Sequence, residues 1–278
     1  MRVAYNSNLH FVPPNPDQEL NVLLVLGLAA STFLVGITVL WLFARRTEYT
    51  IVQFLLDRTA FILLRFLWRT KAPNELPLSQ DQGAVIIANH RSSVDPFFIH
   101  LAAKRRVRWF VAREFFGNWF FGWFLHETGA IPTRRGGIDN VSVREAVKLL
   151  HEGKWVGVLP EGRINTSDQF MMPVRPGAAL LARKANVPIL PVYIEGAPYH
   201  KTVTSPFFMS AHVSITVGKL IYPSEFQSDQ AMIVAAVKAI AQLAGHSDYE
   251  PTLAGKNWKP TPEELAQNQP PPEDEPSA

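Results

Sequence analysis

The sequence contains no cysteine among its 278 residues. This absence excludes disulfide bonds and metal sites built on thiolates, and it suits a reducing compartment. Charge is missing from one long stretch, because the 23 residues from Val22 to Ala44 carry none. As a helix this stretch is about 34 Å long, at 1.5 Å per residue, which is enough to cross a bilayer.

We interpret the uncharged stretch as an uncleaved anchor over residues 20–46, preceded by a polar segment, 1–19. A cleaved signal peptide is the alternative, but Arg45 and Arg46 follow the stretch where a small-residue cleavage site is expected. Basic residues after the stretch outnumber the single Arg2 before it. The positive-inside rule therefore predicts a single-pass protein of the cytoplasmic (inner) membrane, with its C-terminal domain in the cytoplasm.

Acidic residues are scarce between residues 45 and 135, where 14 residues are basic and 7 are acidic. Nucleic acid is one interpretation of such a basic segment. Aromatic residues are interleaved with the basic ones, and the anchor precedes them, so we favour an anionic lipid or a phosphorylated substrate and expect no nucleic acid partner.

Residues 49–69 form a second apolar stretch, but its polar side chains fall on one face of a helix. A second span would bury Asp57 and Arg58 near its middle, which is costly. Residues 47–72 are therefore predicted to contain an amphipathic helix at the membrane interface, or between membrane and domain, followed by a linker.

Strand and helix patterns alternate over residues 73–246, which predicts an α/β domain with a mixed, mainly parallel sheet flanked by helices. The tail, 247–278, is rich in proline and glutamate and is predicted to be disordered. The predicted strands cover residues 84–88, 107–112, 156–159, 189–194 and 213–217. The predicted helices cover residues 96–103, 118–125, 141–152, 177–185 and 231–243.

The connection from the first predicted strand to its helix carries His90 and Asp95, five positions apart. A loop can bring them together as a general base and the carboxylate that orients it. The alternatives are that Asp95 before Pro96 caps the helix, and that His90 only bonds locally. A metal pair of His90 with His100 is disfavoured, because no further ligand follows at helical spacing.

Four segments of this sequence resemble, in order, the sequence blocks of the glycerolipid acyltransferases, the lysophosphatidic acid acyltransferase family. Asn89-His90 with Asp95 resembles the NHxxxxD motif of that family. The other three segments are residues 129–135, 159–163 and 187–192. The resemblance covers roughly residues 83–197.

The resemblance implies that the hydroxyl of a lysophospholipid attacks an acyl thioester, carried by CoA or by acyl carrier protein. His90 would take the hydroxyl proton and Asp95 would orient His90. Arg135 would bind the acceptor phosphate, in preference to its neighbour Arg134. Glu161, Gly162 and Arg163 would complete the acceptor site. No metal or prosthetic group is implied.

The third block departs from the common Glu-Gly-Thr-Arg pattern, because arginine comes two positions after Glu161, at Arg163, instead of three. In this it resembles the 2-acylglycerophosphoethanolamine acyltransferases. Lysophosphatidic acid is thus the favoured acceptor, in phospholipid biosynthesis, and lysophosphatidylethanolamine, in lipid remodelling, is the alternative.

Two other classes of function are weighed against the acyltransferase. A catalytically silent lipid-binding protein would use the same surface without needing both His90 and Asp95, and a phospholipase would activate water instead of a lipid hydroxyl. A serine esterase is disfavoured, because the sequence has no G-x-S-x-G elbow.

Residues 115–124 hold seven aromatic side chains in ten positions. A densely packed core segment is one interpretation. The other is a wall for the acyl chain and a surface that enters the lipid interface, where tryptophan is favoured.

Overall fold

The computed structural model describes residues 16–45, 49–134, 139–200 and 202–255. The chain divides into two compact units, Met1–Leu55 and Leu56–Ala278. Residues 1–15 of the predicted polar segment, 1–19, and most of the predicted tail lie outside the described residues.

In the first unit, helix α1 covers Pro16–Arg45. Over Leu20–Leu42 it is long and apolar enough to cross a membrane, by length and composition. Its large apolar side chains are exposed, from 37% at Leu40 to 69% at Phe33. The helix begins four residues before the predicted anchor, 20–46, and the crossing itself stays a prediction.

Helix α2, Ile51–Ile62, begins in the first unit and ends in the second, and a π-helical turn, Leu63–Leu67, continues it. Leu64 and the following Trp68 are completely buried in the core of the second unit. Asp57 accepts hydrogen bonds from Arg58 and from Nε2 of His100, the latter at 2.6 Å. These hydrogen bonds offset part of the cost of burying the Asp57 carboxylate. The interfacial position of the helix stays a prediction.

Those partners set the charge of Asp57. Burial raises the pKa of Asp57, but the hydrogen bonds from His100 and Arg58 outweigh it and hold that pKa below its ordinary value.

A six-stranded sheet forms the second unit, with strand order β3-β2-β4-β1-β5-β6. All neighbours pair in parallel except β5 and β6, which are antiparallel. The mixed, mainly parallel sheet predicted from the sequence is confirmed. The strands are β1 Ala84–Ala88, β2 Val107–Ala112, β3 Ile131–Thr133, β4 Trp155–Val158, β5 Ile189–Glu195 and β6 Ser214–Val217.

Helices cover both faces of this sheet. They are α3 Asp95–Ala103, α4 Trp119–Thr128, α5 Asn140–His151, α6 Gly177–Ala185 and α7 Asp229–Leu243. Successive side chains of a strand point to opposite faces, and β1 shows this division. Ile86 packs on one side with α3 and Trp68, whereas Ile87 packs on the other with α5, α6 and α7. All five residues of β1 are buried, which makes it the central strand of the domain.

Two sequence predictions are corrected by the structure. The three-residue strand β3 was not predicted. The prediction of disorder from residue 247 onward is wrong for residues 247–255, because this segment bonds to the domain. Ala254 donates from its backbone to Val174, and the Tyr249 hydroxyl donates to the Met171 carbonyl at 3.1 Å.

Candidate active site

Three neighbouring parallel strands end at the same edge of the sheet, and the candidate site lies there. β1 leads into the loop with His90, β4 leads into residues 159–163, and β5 leads into residues 196–200. In open α/β sheets this carboxyl edge is where ligands bind. The fold therefore brings together segments that are far apart in the sequence.

His90 and Asp95 form a hydrogen-bonded pair. Nδ1 of His90 lies 2.9 Å from Oδ2 of Asp95, and their side chains are 14% and 0% exposed. An ionised carboxylate only accepts hydrogen bonds, so Nδ1 carries the proton and Nε2 is left as the basic nitrogen. Nε2 has no hydrogen-bond partner among the described residues. The predicted contact between His90 and Asp95 is therefore present, and their roles as base and orienting carboxylate stay predictions.

Asp95 does not cap α3. The N-cap position belongs to Val94, which makes no side-chain cap. Oδ2 of Asp95 instead accepts hydrogen bonds from the backbone N–H groups of Arg91 and Ser92, both at 2.8 Å. The capping alternative is therefore wrong, because the carboxylate turns back onto the loop that carries His90.

Asn89 fastens the same loop to β5. Its amide nitrogen donates to the Ile194 carbonyl, and its amide oxygen accepts from the Ile194 N–H, both at 2.8 Å. The side chain thus continues the strand pairing beyond the end of β1. Because Asn89 is 3% exposed, these bonds are made in a dry environment, where they hold the backbone next to His90 firmly.

Arg91 fastens the loop on its other side. Its guanidinium donates to the carbonyls of Ser167 and Gln169, each at 2.6 Å, and to that of Asn165 at 3.2 Å. The backbone N–H of Asn165 donates to the His90 carbonyl at 2.7 Å. The segment after β4 and the His90 loop are therefore bound together as one rigid unit.

Glu161 is a further link between the two loops. One carboxylate oxygen accepts from the His90 N–H at 2.7 Å, and the other accepts from the Met172 N–H at 2.8 Å. Burial raises the pKa of Glu161 to about 8, although the N–H donors of Met172 and His90 favour the ionised form. With 2% of its surface exposed, Glu161 holds the loop that carries His90, and its predicted contact with substrate stays a prediction.

Comparisons with known proteins show which family this chain resembles. Residues 69–195 match the model of the family described as Acyltransferase. A 1-acyl-sn-glycerol-3-phosphate acyltransferase of Bacillus subtilis is 27% identical over 174 residues, which cover 59% of this chain and 80% of that protein. One of Streptococcus pneumoniae is 31% identical over 128 residues, but the match covers 45% of each protein.

These matches support placing residues 69–195 in the glycerolipid acyltransferase family.

The fold is found in a solved member. The crystal structure of the 1-acyl-sn-glycerophosphate (LPA) acyltransferase PlsC from Thermotoga maritima superposes with a TM-score of 0.57 at 18% sequence identity. The match covers 70% of this chain and 79% of that one. The predicted fold is thus confirmed. The matches to the family model and to the two bacterial relatives support an acyltransferase enzyme.

The arginines predicted to bind the acceptor differ in whether and where the structure describes them. Arg135 lies outside the described residues. Its neighbour Arg134 is exposed directly after β3, and Arg163 is half-buried in the loop after β4. Both loops start at the carboxyl edge of the sheet, as the site requires. Their contacts with phosphate stay predictions.

Gly162 has a structural reason to be glycine. Its φ of +71° lies in the left-handed region, where residues with a side chain are strained. Its backbone N–H closes a turn by donating to the Leu159 carbonyl at 3.0 Å. This turn sets Glu161 and Arg163 on the loop after β4, and a direct contact of Gly162 with the acceptor stays a prediction.

An open cavity of about 1090 Å³ adjoins these loops. Asn89 and Arg91 line it, together with residues 165–168 and the segment after β5, but His90 does not. The cavity therefore does not mark where a substrate meets the imidazole. Within the described residues, no three His, Asp or Glu side chains are grouped so that they could hold a metal ion.

Proposed function

We propose that this acyltransferase esterifies the free hydroxyl of a lysophospholipid, with lysophosphatidic acid as its first acceptor and acyl-CoA or acyl carrier protein as donor. The observation that carries the proposal is the His90–Asp95 pair, with 2.9 Å between Nδ1 and Oδ2. It leaves Nε2 of His90 as the base. The names of the relatives from Bacillus subtilis and Streptococcus pneumoniae support the choice of acceptor.

In the proposed reaction, the acceptor hydroxyl attacks the carbonyl carbon of the acyl thioester. Nε2 of His90 takes the hydroxyl proton as the new C–O bond forms, because a neutral hydroxyl is a poor nucleophile. Asp95 stabilises the resulting imidazolium through Nδ1. The C–S bond then breaks, and the proton passes from Nε2 to the departing thiolate. The products are the acylated lipid and the free thiol of the donor.

The acceptor phosphate is assigned to the basic loops at the same edge of the sheet. A guanidinium can form two parallel hydrogen bonds with phosphate oxygens, and Arg134, Arg135 and Arg163 all follow strands that end there. A phosphomonoester, with nearly two negative charges, gains more from this cluster than the phosphodiester of lysophosphatidylethanolamine. This favours lysophosphatidic acid.

The proposed location is the cytoplasmic membrane, with α1 as a single span. Its apolar length over Leu20–Leu42 supports the span, and the excess of arginine after it supports a catalytic unit on the cytoplasmic side.

The test is an acyl-transfer assay on purified membranes with labelled acyl-CoA, or labelled acyl carrier protein, and a panel of lysolipids in direct competition. Labelled phosphatidic acid as the main product is the expected result. A clear preference for lysophosphatidylethanolamine would overturn the acceptor and leave the reaction class standing. Release of free fatty acid without transfer would indicate hydrolysis, and no labelled product with any donor or lysolipid would favour a lipid-binding protein.

A further inference from the structure

A group of large aromatic side chains is exposed on the second unit. On α4, Trp119 is 85% exposed, Phe120 51% and Trp123 44%. At 100° per residue, these three fall within about 100° of the helix circumference, so they share one face of α4. Phe208, after a short 3-10 helix, is 87% exposed. We call these four residues the aromatic face.

Ring contacts between half-buried side chains connect the parts of this face. Phe124 lies one helical turn after Phe120 and stacks on Phe97 of α3, with ring centroids 6.0 Å apart. Phe97 in turn packs edge-on against Phe207 at 5.9 Å. Since Phe208 is the next residue in the chain, α4 and the segment with Phe208 both meet α3 at Phe97.

This face is unusual for a surface that meets only water. Each Phe or Trp side chain presents roughly 150–250 Å² when buried completely. Four of them, each between 44% and 87% exposed, approach or exceed the few hundred Å² that monomeric soluble proteins leave uncovered. Half of the face is tryptophan, which is favoured at the boundary between hydrocarbon and headgroups. The aromatic face therefore matches a lipid interface in both area and composition.

Positively charged side chains near Phe97 and Phe207 suit an anionic membrane surface. Trp68 packs against Phe97 and Phe207, with ring centroids 6.1 Å apart in each case. The residues that flank Trp68 include Arg65, Arg69 and Lys71, all of them exposed. Basic side chains next to a bilayer are attracted to anionic lipids. The segment that meets the aromatic cluster thus also supplies positive charge.

The chain itself brings a membrane within reach. Only residues 46–55 separate the last residue of α1 from the first residue of the second unit. Ten residues span at most about 35 Å when fully extended. If α1 crosses a bilayer, the second unit is tethered close to the surface of that bilayer.

We propose that Trp119, Phe120, Trp123 and Phe208 insert into the interfacial layer of the membrane, so that the catalytic unit contacts the bilayer through its own surface as well as through α1. The proposal rests on the proposed function only in that α1 supplies the tether. It assigns the face to lipid, and not to a second copy of the chain or to the acyl chain of a bound substrate.

Quenching of tryptophan fluorescence by lipids with brominated acyl chains tests this contact without the need for turnover. The full-length protein is reconstituted in vesicles of phosphatidylcholine with a minority of phosphatidylglycerol. All variants carry Trp41→Phe, which removes the tryptophan of α1, and Trp258→Phe. The five remaining tryptophans are then sharply divided, since Trp68, Trp109 and Trp155 are 0%, 7% and 1% exposed. Brominated lipid can reach only Trp119 and Trp123.

We expect strong quenching in this background and loss of most of it when Trp119→Phe and Trp123→Phe are added. Flotation with the vesicles measures attachment through α1 separately. A protein that floats but shows little quenching would overturn the aromatic face and leave the anchor standing. Quenching that persists unchanged without Trp119 and Trp123 would overturn it as well.

A second variant keeps the proposal testable through function. Trp119→Ser/Phe120→Ser/Trp123→Ser should keep its circular dichroism spectrum, because these side chains are exposed, and should lose several-fold activity toward lysolipid embedded in vesicles. Activity toward a short-chain, water-soluble lysolipid should stay unchanged. Tyr222→Ser, at a separate side chain that is 41% exposed, is the control.

Equal losses on both substrates would assign the face to the acyl chain. A dimer in detergent that the triple variant converts to a monomer, with no quenching, would assign it to a second copy. Either result overturns the proposal.

Discussion

Asp95→Asn is the perturbation that separates the orientation of His90 from the folding of its loop. Oδ2 of Asp95 accepts three hydrogen bonds, from Nδ1 of His90 at 2.9 Å and from the N–H groups of Arg91 and Ser92 at 2.8 Å. Oδ1 is buried and has no partner among the described residues. An asparagine must turn its amide oxygen to these three donors, which places its NH₂ group in the buried position that Oδ1 occupies.

The expected cost follows from the change of acceptor. A hydrogen bond to a charged group contributes about 1.5–3 kcal/mol and one to a neutral group about 0.5–1.5 kcal/mol. Three bonds that each lose about 1–1.5 kcal/mol give a decrease of about 3–4.5 kcal/mol in the free energy of unfolding, less than a typical domain stability of about 5–15 kcal/mol. The variant should therefore fold. Its acyl-transfer rate should fall roughly 10²–10⁴-fold, because a neutral amide no longer stabilises the imidazolium.

Urea unfolding measures the first quantity, and initial rates at equal folded concentration measure the second. The control is Asp229→Asn, which removes a half-exposed ion pair with Arg183 at 3.4 Å. Such pairs contribute about 0–1 kcal/mol, so neither stability nor rate should change much. An Asp95→Asn enzyme with normal turnover would refute the role of Asp95 in catalysis, and one with unchanged stability would contradict the three bonds.

Three further predictions concern the loops and the anchor. Burial raises the pKa of Glu161 from 4.5 to about 8, so between these two pH values the folded protein holds a proton that the unfolded chain releases. The free energy of unfolding should therefore fall as pH rises through this interval, by up to about 1.4 kcal/mol per pH unit. Glu161→Gln should lack this component in urea unfolding at several pH values, and parallel pH profiles of variant and wild type would contradict it. Arg91→Met removes the short hydrogen bonds to the Ser167 and Gln169 carbonyls, which contribute about 1.5–3 kcal/mol each. It should therefore speed proteolysis between residues 165 and 170, whereas the control Arg144→Met, at an exposed arginine, should not. Equal cleavage of the two variants would contradict the role of Arg91. Alkaline carbonate should leave the full-length protein in the membrane pellet, and deletion of residues 1–46 should weaken attachment without abolishing it; release of the full-length chain would refute the span.

The central strand and its helix were predictable because their signals are local. Five apolar residues in a row predicted β1, and Pro96 marked the first turn of α3. The pairing of His90 with Asp95 was predictable for the same reason, since both lie on the one short connection between these elements. β3 gave too weak a signal, because it has three residues and the second is Pro132.

The links that hold the site were not predictable, because they join residues that are far apart in the sequence. The Glu161 carboxylate meets the His90 N–H across 71 positions, and Asn89 meets Ile194 across 105. Only the order of the strands brings these segments to one edge of the sheet. The role of Asp95 shows a limit of local patterns as well, because a carboxylate before proline at a helix start predicts a cap, whereas this one turns back to the loop.

The central claim is that Nε2 of His90 is the base of an acyl transfer, and His90→Ala tests it most directly. The measurement is the initial rate of labelled acyl transfer from acyl-CoA to lysophosphatidic acid, with wild type and variant at equal folded concentration. The control is His151→Ala, which removes an exposed histidine of α5. The account predicts a loss of roughly 10²–10⁴-fold or more for His90→Ala, with circular dichroism unchanged, and no loss for His151→Ala. A folded His90→Ala enzyme that transfers the acyl chain at a near-normal rate would contradict it.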